Sequence, residues 1–295
     1  MNESLESVEG ATPLESVRTV HLPVSGDLRH HVSALVGIEA NIVGSLPLSI
    51  APHDAVVLAV QFRRNGQELD VKAGLGSNTR FTGIRQWTGR FADTTSSCLA
   101  LFALLTPLGA VQLLNSRRLD ASPRIRAPLE HMLDLGMTRQ LESQVVMAGD
   151  LPAKLAAFGA WLEQRGHQRG LQNRDALRAA RAAMRLCAEP TAAMERVADE
   201  QHVSRRQIER DFSRWLGVSP RHLSQVARVQ GVARRTHRGA SLADAAAEMG
   251  FADQSHMNRV VRQLTGVTPR EFVRAPASPI AAAFHAATGG GKVYL

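Results

Sequence analysis

Between residues 173 and 274 apolar positions recur every three or four residues, the spacing of helices that each bury one face. Ile208, Phe212 and Leu216 share one such face, and Met257, Val261 and Leu264 share another. The polar residues between these runs read as helix punctuation. Asn173 can cap a helix through about Cys187, stopped by Pro190, and Thr191 can cap a short one over 192–200. Ser204 with Gln207, Ser241 with Asp244 and Thr268 with Glu271 have the spacing of capping boxes. Pro220 and Pro269 each follow a Ser or Thr by one residue, which suits the first helical position.

The texture upstream is different. "APHDAVVLAVQF" (51–62) couples a turn signal to an apolar run of strand length, and "SCLALFALL" (97–105) is similar. Gly74, Gly76, Gly83 and Gly89 punctuate the stretch between them, so about 18–115 is expected to be β-rich. Residues 126–135 and 150–166 read as helices, the second from the spacing of Leu151, Leu155, Phe158 and Leu162. "RGHQRGLQN" (165–173) looks like a hinge. Residues 1–16 are polar and acidic and are expected to be disordered. Residues 276–295 read as a flexible tail, and their "GGGK" lacks the spacing of a phosphate-binding loop. The fold class expected is α+β. A β-rich sensor-like domain with flanking helices spans 17–168, and an all-α domain follows over 169–275.

The helical half repeats itself. "VSRRQIERDFSRWLGVSPRHL" (203–223) lies against "ADQSHMNRVVRQLTGVTPREF" (252–272) so that Arg210 meets Arg259, Gly217 meets Gly266, Val218 meets Val267, Pro220 meets Pro269 and Arg221 meets Arg270. Each pair is 49 residues apart, and Ala198 and Ala247 keep that offset. Each unit is a short helix, a tight turn and a second helix, which is helix-turn-helix geometry. The units are placed at about 192–216 and 241–265, with second helices over 204–215 and 253–264.

Charge sharpens this picture. Residues 1–170 hold 16 Lys+Arg and 16 Asp+Glu, whereas 171–275 hold 18 Arg and 11 acids, a surplus of 7. Lys292 completes the formal +8. A basic half points to a polyanion, and DNA or RNA is the usual one. The outward face of the first second-helix shows Arg206, Glu209, Arg210 and Ser213, with Arg205 beside them. The second shows Gln254, Ser255, Asn258, Arg259 and Arg262. Such groups read base edges: Arg grips guanine, Asn or Gln bridges adenine, and Glu accepts from cytosine. With the charge and both units inside it, the stretch 171–275 is expected to bind DNA by itself.

Length and composition set the remaining bounds. At 295 residues and 44% hydrophobic content there is room for two packed domains. No apolar run reaches membrane-spanning length. Glu3, Glu6, Glu9 and Glu15 replace the basic start of a secretory signal, so a soluble cytoplasmic protein is expected. Cys98 and Cys187 are far apart and form no CxxC pair, which argues against a zinc ribbon or disulfide framework and for two free buried thiols.

Residues 174–274 resemble the DNA-binding domain of the AraC/XylS family of bacterial transcription regulators. The signature lies in "SLADAAAEMGFADQSHMNRVVRQLTGVTPREFVR" (241–274). The resemblance implies two helix-turn-helix units joined by a long helix, here about 220–236, with their second helices in successive major-groove segments. It implies that Arg206, Glu209 and Arg210 form one reading set, and Gln254, Ser255, Asn258 and Arg259 the other. Double-stranded DNA is the implied partner, alongside a small-molecule effector, RNA polymerase and a second copy of the chain. No membrane, cofactor or metal is implied. Two departures stand out. Val261 occupies a position where the family usually has Phe, which implies a less filled second core. Gly231 inside the joining helix should cost about 1 kcal/mol relative to Ala.

The N-terminal half is less informative. "LSIAPHDAVVLAVQF", "GSNTRFTG" and "FALLTPLGAVQLLN" weakly resemble one uncharacterised type of sensor domain found in that family. His30, His31 and His53 invite a cupin-like metal reading but lack the usual HxH with a downstream Glu and His. Cys98 could be a nucleophile, although its apolar neighbours predict an unreactive thiol. Asp54 and Arg90 are candidate pocket groups. The alternative is therefore an enzyme or metal-binding N-terminal domain fused to a DNA reader.

Overall fold

The computed structural model describes residues 14–42, 48–65, 68–70, 79–82, 89–91, 98–113, 127–128, 135–168, 173–274, 276 and 278–292. Its strands are β1 Leu14–Leu22, β2 Val32–Ile42, β3 Leu48–Ile50, β4 Val56–Asn65, β5 Glu68–Asp70, β6 Thr79–Thr82, β7 Gly89–Phe91, β8 Cys98–Leu105 and β9 Ala127–Pro128. The helices are α1 Pro107–Leu113, α2 Leu135–Met147, α3 Leu151–Gln168, α4 Arg174–Ala188, α5 Met194–Glu200, α6 Arg205–Leu216, α7 Pro220–His237, α8 Leu242–Glu248, α9 Gln254–Thr265, α10 Pro269–Val273 and α11 Pro279–Ala287. One antiparallel sheet runs β1-β2-β8-β4-β6-β9, with β5 beside β4, and β3 pairs with β7 separately.

The two central strands of this sheet, β8 and β4, read as apolar runs because both faces are covered. On β8, Leu99, Leu101, Ala103 and Leu105 enter one core while Ala100, Phe102 and Leu104 enter the other. On β4, Val56, Leu58, Val60 and Phe62 face the first core, and Val57 and Ala59 the second. Successive side chains of a strand alternate in direction, so a strand buried on both sides loses its polar alternation. The first core is roofed by α1, α3 and α4. On α3, Leu151, Leu155, Phe158 and Leu162 are all fully buried, as their spacing predicts.

The second face is closed by a segment expected to be a flexible tail. Residues 279–287 form α11, capped by Ser278, whose side chain accepts from the Ala281 amide at 3.1 Å. Ile280, Ala281, Ala283 and Phe284 are buried against β1 and β2, and Phe284 meets Phe102 edge-on at 5.0 Å between ring centroids. A sheet face of Ala, Val, Ile and Phe needs an apolar cover, and α11 supplies it.

Other expectations are corrected similarly. Residues 14–16, expected to be disordered, belong to β1, while 1–13 lie outside the described residues. Residues 127–128, expected in a helix, pair with β6 as β9, and helix α2 starts at Leu135. Residues 165–168, expected in a hinge, complete α3, where Arg165 is buried and donates from Nε to the Leu113 carbonyl. The first core also does not stop at residue 168. It runs on through Ala176, Ala180, Ile208, Phe212 and Leu223 of the helical half.

The joining helix α7 is docked on the loop before β4. Gln230, with no exposed surface, donates from Nε2 to the carbonyls of Pro52 (2.7 Å) and Lys292 (2.8 Å) and accepts from the Lys292 amide (2.8 Å). One turn further on, Arg234 Nη2 meets Asp54 Oδ2 at 3.1 Å. Another turn on, His237 Nδ1 lies 3.0 Å from His285 Nε2 of α11. Gln230, Arg234 and His237 thus form an i, i+4, i+7 stripe that holds sheet, joining helix and C-terminal segment together. Ala51 is buried among the core residues of the second helical unit.

This seam carries a pH signature. The Ala55 amide donates to His53 Nδ1 at 3.0 Å, so the neutral ring carries its proton on Nε2, which is buried without a partner among the described residues. Burial lowers the His53 pKa from 6.5 more than Asp54 raises it, and Arg234 lowers it further. A histidine held neutral contributes stability above its unfolded pKa, and that contribution is lost as pH falls through the window below 6.5. The melting temperature is therefore expected to fall from about pH 7.5 to about pH 5.5, and to fall less in His53→Asn, by calorimetry. Equal losses in both proteins would remove His53 from this account.

Candidate nucleic-acid interface

The repeat is built as two matching scaffolds. α6 and α9 each contain 12 residues and start 49 apart. Each ends at a left-handed glycine cap, Gly217 at φ 68 and Gly266 at φ 76, a conformation that glycine adopts without strain. α7 and α10 then start at Pro220 and Pro269, with Ser219 and Thr268 as caps. Thr268 and Glu271 form a complete capping box. Ser204 and Ser241 cap with the side chain as expected, accepting from the amides of Gln207 and Asp244. Their N3 side chains bond elsewhere: Gln207 turns to Asp211, and Asp244 Oδ2 accepts from the Ser241 hydroxyl. Thr191 is not a cap; α5 starts after Ala193.

The first helix of each unit follows a different register. α5 starts at Met194 and α8 at Leu242, an offset of 48 rather than 49. The buried pair Val197 and Ala198 therefore matches Ala245 and Ala246, and Ala247 is exposed. The turn of the second unit is one residue longer. His202 at φ 53 bends the first turn, and Gly250 at φ 69 bends the second. Arg228 of α7 braces the longer turn, donating to the carbonyls of Met249 (2.7 Å) and Gly250 and lying over the Phe251 ring at 4.0 Å.

The two sequence departures are absorbed. Val261 is fully buried among Met257, Leu264 and Phe272. Gly231 lets Met249 lie against α7, since a Cβ there would come within 2.5 Å of its sulfur.

All nine predicted reading residues are exposed: Arg205, Arg206, Glu209 and Arg210 on α6, and Gln254, Ser255, Asn258, Arg259 and Arg262 on α9. They are not equally free. Arg205 pairs with Glu209 at 3.0 Å and with Glu195 at 3.1 Å, so Arg205 and Glu209 hold each other. Those bonds raise the Arg205 pKa, and the Glu195 pKa is lowered, first by its own backbone and then by Arg205. Arg210 donates to Gln207 Oε1. Arg206, Asn258 and Arg259 have no side-chain partner among the described residues.

Charge pairing concentrates the positive surplus. Arg178, Arg185, Arg196, Arg205, Arg234 and Arg235 form ion pairs. Arg206, Arg210, Arg259 and Arg262 on the reading faces do not, among the described residues, nor do Arg221 and Arg270 at the starts of α7 and α10. Four arginines without an ion pair among the described residues thus stand on the exposed sides of the two second helices, and two more at the helix starts that follow them. Sequence reasoning missed the cluster in which Gln207 and Asp211 of α6 meet Arg178 of α4. The signal available was an acid, Asp211, beside Phe212 on the apolar side of the helix.

The other candidate groups lie elsewhere. His31 bonds Gln112 at 2.6 Å, His53 sits in the interdomain seam, and His30 is exposed. No three potential metal ligands come together among the described residues. Asp54 is committed to Arg234, and the Arg90 side chain lies outside the described residues. Cys98 and Cys187 are free and only partly buried. Burial raises both thiol pKa values, Cys187 further with Asp54 nearby. Among the described residues no helix is long and apolar enough to cross a membrane.

A family model agrees with the helical geometry. Residues 197–275 match the family model of a helix-turn-helix domain of the AraC type. Among solved structures, ToxT from Vibrio cholerae is 11% identical, with 88% of this chain and 97% of that one covered at a TM-score of 0.41. A second ToxT structure, bound to (E)-4-(8-methylnaphthalen-1-yl)but-3-enoic acid, is 12% identical over 88% and 98% at 0.40. The AraC-like transcriptional activator CuxR is 10% identical over 67% and 80% at 0.25. No curated protein matches significantly. The domain match and the duplicated scaffold, with its exposed basic faces, identify residues 197–275 of this chain as a DNA-binding helix-turn-helix domain of the AraC type.

Proposed function

We propose that this chain is a transcription regulator that reads one asymmetric DNA site with α6 and α9 in successive major-groove segments. The observation that supports this most directly is the pair of equal-length helices whose exposed faces differ in chemistry. On α6 the groups outside ion pairs are guanidiniums, Arg206 and Arg210, which suit G·C pairs. On α9 Asn258 and Gln254 are amides, which suit adenine, and Arg259 and Arg262 stand beside them. One helix covers only a few base pairs, and two about a DNA turn apart let a single chain read a longer site. Arg205 and Glu209, tied to each other and to Glu195, brace the entry to α6.

Arg206→Ala is expected to relax base preference at one end of the site, and Asn258→Ala at the other, each costing about 1–3 kcal/mol. Selection of bound sequences from a random pool measures both. The two-reader assignment fails if both variants relax the same positions, or if the wild-type site is symmetric within one chain's footprint.

The sheet domain is assigned control of this reading, by binding a small effector or by pairing two copies of the chain. Support comes from the seam: Pro52 and Asp54 hold Gln230 and Arg234 of the helix that joins the two units. A change in the sheet would reach both readers through α7. The role is one of binding in the cytoplasm, with RNA polymerase as a further partner and no catalysis.

A further inference from the structure

A line of hydrogen bonds runs from α4 through the inside of α6 to its reading face. Asp211 is 2% exposed and only accepts hydrogen bonds as a carboxylate. Its Oδ2 takes Arg178 Nε and Nη2, both at 2.7 Å, and Arg178 Nη2 also reaches Asp175 Oδ1 at 2.8 Å. Its Oδ1 takes Gln207 Nε2 at 2.7 Å. With its NH2 group committed inward, Gln207 must turn its carbonyl outward, and there Arg210 Nη2 donates to Oε1. An amide can normally present either end. Here the buried carboxylate decides which end faces the surface.

From this geometry we infer that Asp211 and Gln207 are positioning residues that fix the Arg210 guanidinium for base reading. The inference rests on the proposed reading by α6. A long arginine side chain loses rotamer freedom on binding, and holding it beforehand removes part of that cost. The second unit lacks the device. At the 49-residue offset Gln207 falls on His256 and Asp211 on Val260. His256 Nδ1 instead accepts from the Ala252 amide at 3.4 Å, and Arg259 has no side-chain partner among the described residues. The first unit thus carries a preset arginine and the second a free one.

The experiment compares the full chain with Gln207→Met, Asp211→Asn and Arg210→Ala. For each, affinities are measured on duplexes varied one base pair at a time, alongside the melting temperature. Gln207→Met leaves the Asp211–Arg178 pair in place, so it tests the relay without opening the buried ion pair. Arg210→Ala should abolish discrimination at one base pair. Gln207→Met should reduce discrimination at that same pair about 2- to 12-fold, the ordering cost of one long side chain, with discrimination at the other pairs unchanged. Asp211→Asn should reduce it at the same pair, since an amide there no longer dictates the orientation of Gln207. If Arg210→Ala relaxes one pair and Gln207→Met does not, the positioning role is wrong and the reading stands. If Arg210→Ala relaxes none, the reading by Arg210 itself is wrong. A Gln207→Met protein with a lowered melting temperature and uniformly weaker discrimination would show a merely structural role and overturn the inference.

Discussion

Raising monovalent salt from about 50 mM to about 200 mM is expected to weaken DNA binding by this chain about 10³–10⁵-fold, for 6–10 phosphate contacts. The size of the effect follows from where the charge is. Ion pairs neutralise six arginines of the helical half, and their side chains are committed to carboxylates. Arg206, Arg210, Arg259 and Arg262 on the exposed sides of α6 and α9, with Arg221 and Arg270 at two helix starts, form no ion pair among the described residues and are expected to meet DNA and displace its counterions. Arg221→Ala should weaken all sequences alike and reduce the salt slope by about 1, because a phosphate contact carries no base information. The measurement is the slope of log affinity against log salt. A flat response would sink the electrostatic account. The full chain is the right object for this test. The helical half shares one core with the sheet through Ala176, Ile208 and Leu223, and Ala51 of the sheet domain lies in the core of the second unit.

Phe284→Ala is expected to destabilise the protein by about 3–5 kcal/mol, the usual cost of emptying a buried aromatic site. Phe284 has no exposed surface, stands edge-on to Phe102, and is the largest side chain that α11 places on the sheet. Its loss leaves a hole over Ala34, Val36 and Phe102 that the backbone of a sheet cannot close. Urea unfolding should show a lower midpoint with an unchanged slope. An unchanged midpoint would mean that the C-terminal helix does not cover the sheet in solution.

The helical half was legible because its signals are local. Asn173, Ser204, Ser241 and Thr268 satisfy amides two or three residues away, and glycine caps and prolines mark the boundaries whatever surrounds them. The exposed faces of α6 and α9 follow from the same period, so the residues that prove exposed, and that are proposed to read DNA, could be named without coordinates. Where local signals were weak the sequence was ambiguous. In the run Ala245, Ala246 and Ala247 every residue is alike, and only packing decides that the first two are buried and the third is not. For 276–295, Pro and Gly content suggested a tail, yet the sheet face that needs Ile280 and Phe284 exists only once β1, β2 and β8 are assembled. The seam joins Gln230 to Pro52 across 178 residues, and the relay joins Arg178 to Asp211 across 33. The sequence by itself thus determined the duplicated scaffold, its caps, its charge and its outward chemistry, all set by neighbours within one or two turns. Only the tertiary structure decided which arginines are free, what covers the sheet and which buried groups stand behind the reading face, because those depend on partners that the chain brings together by folding.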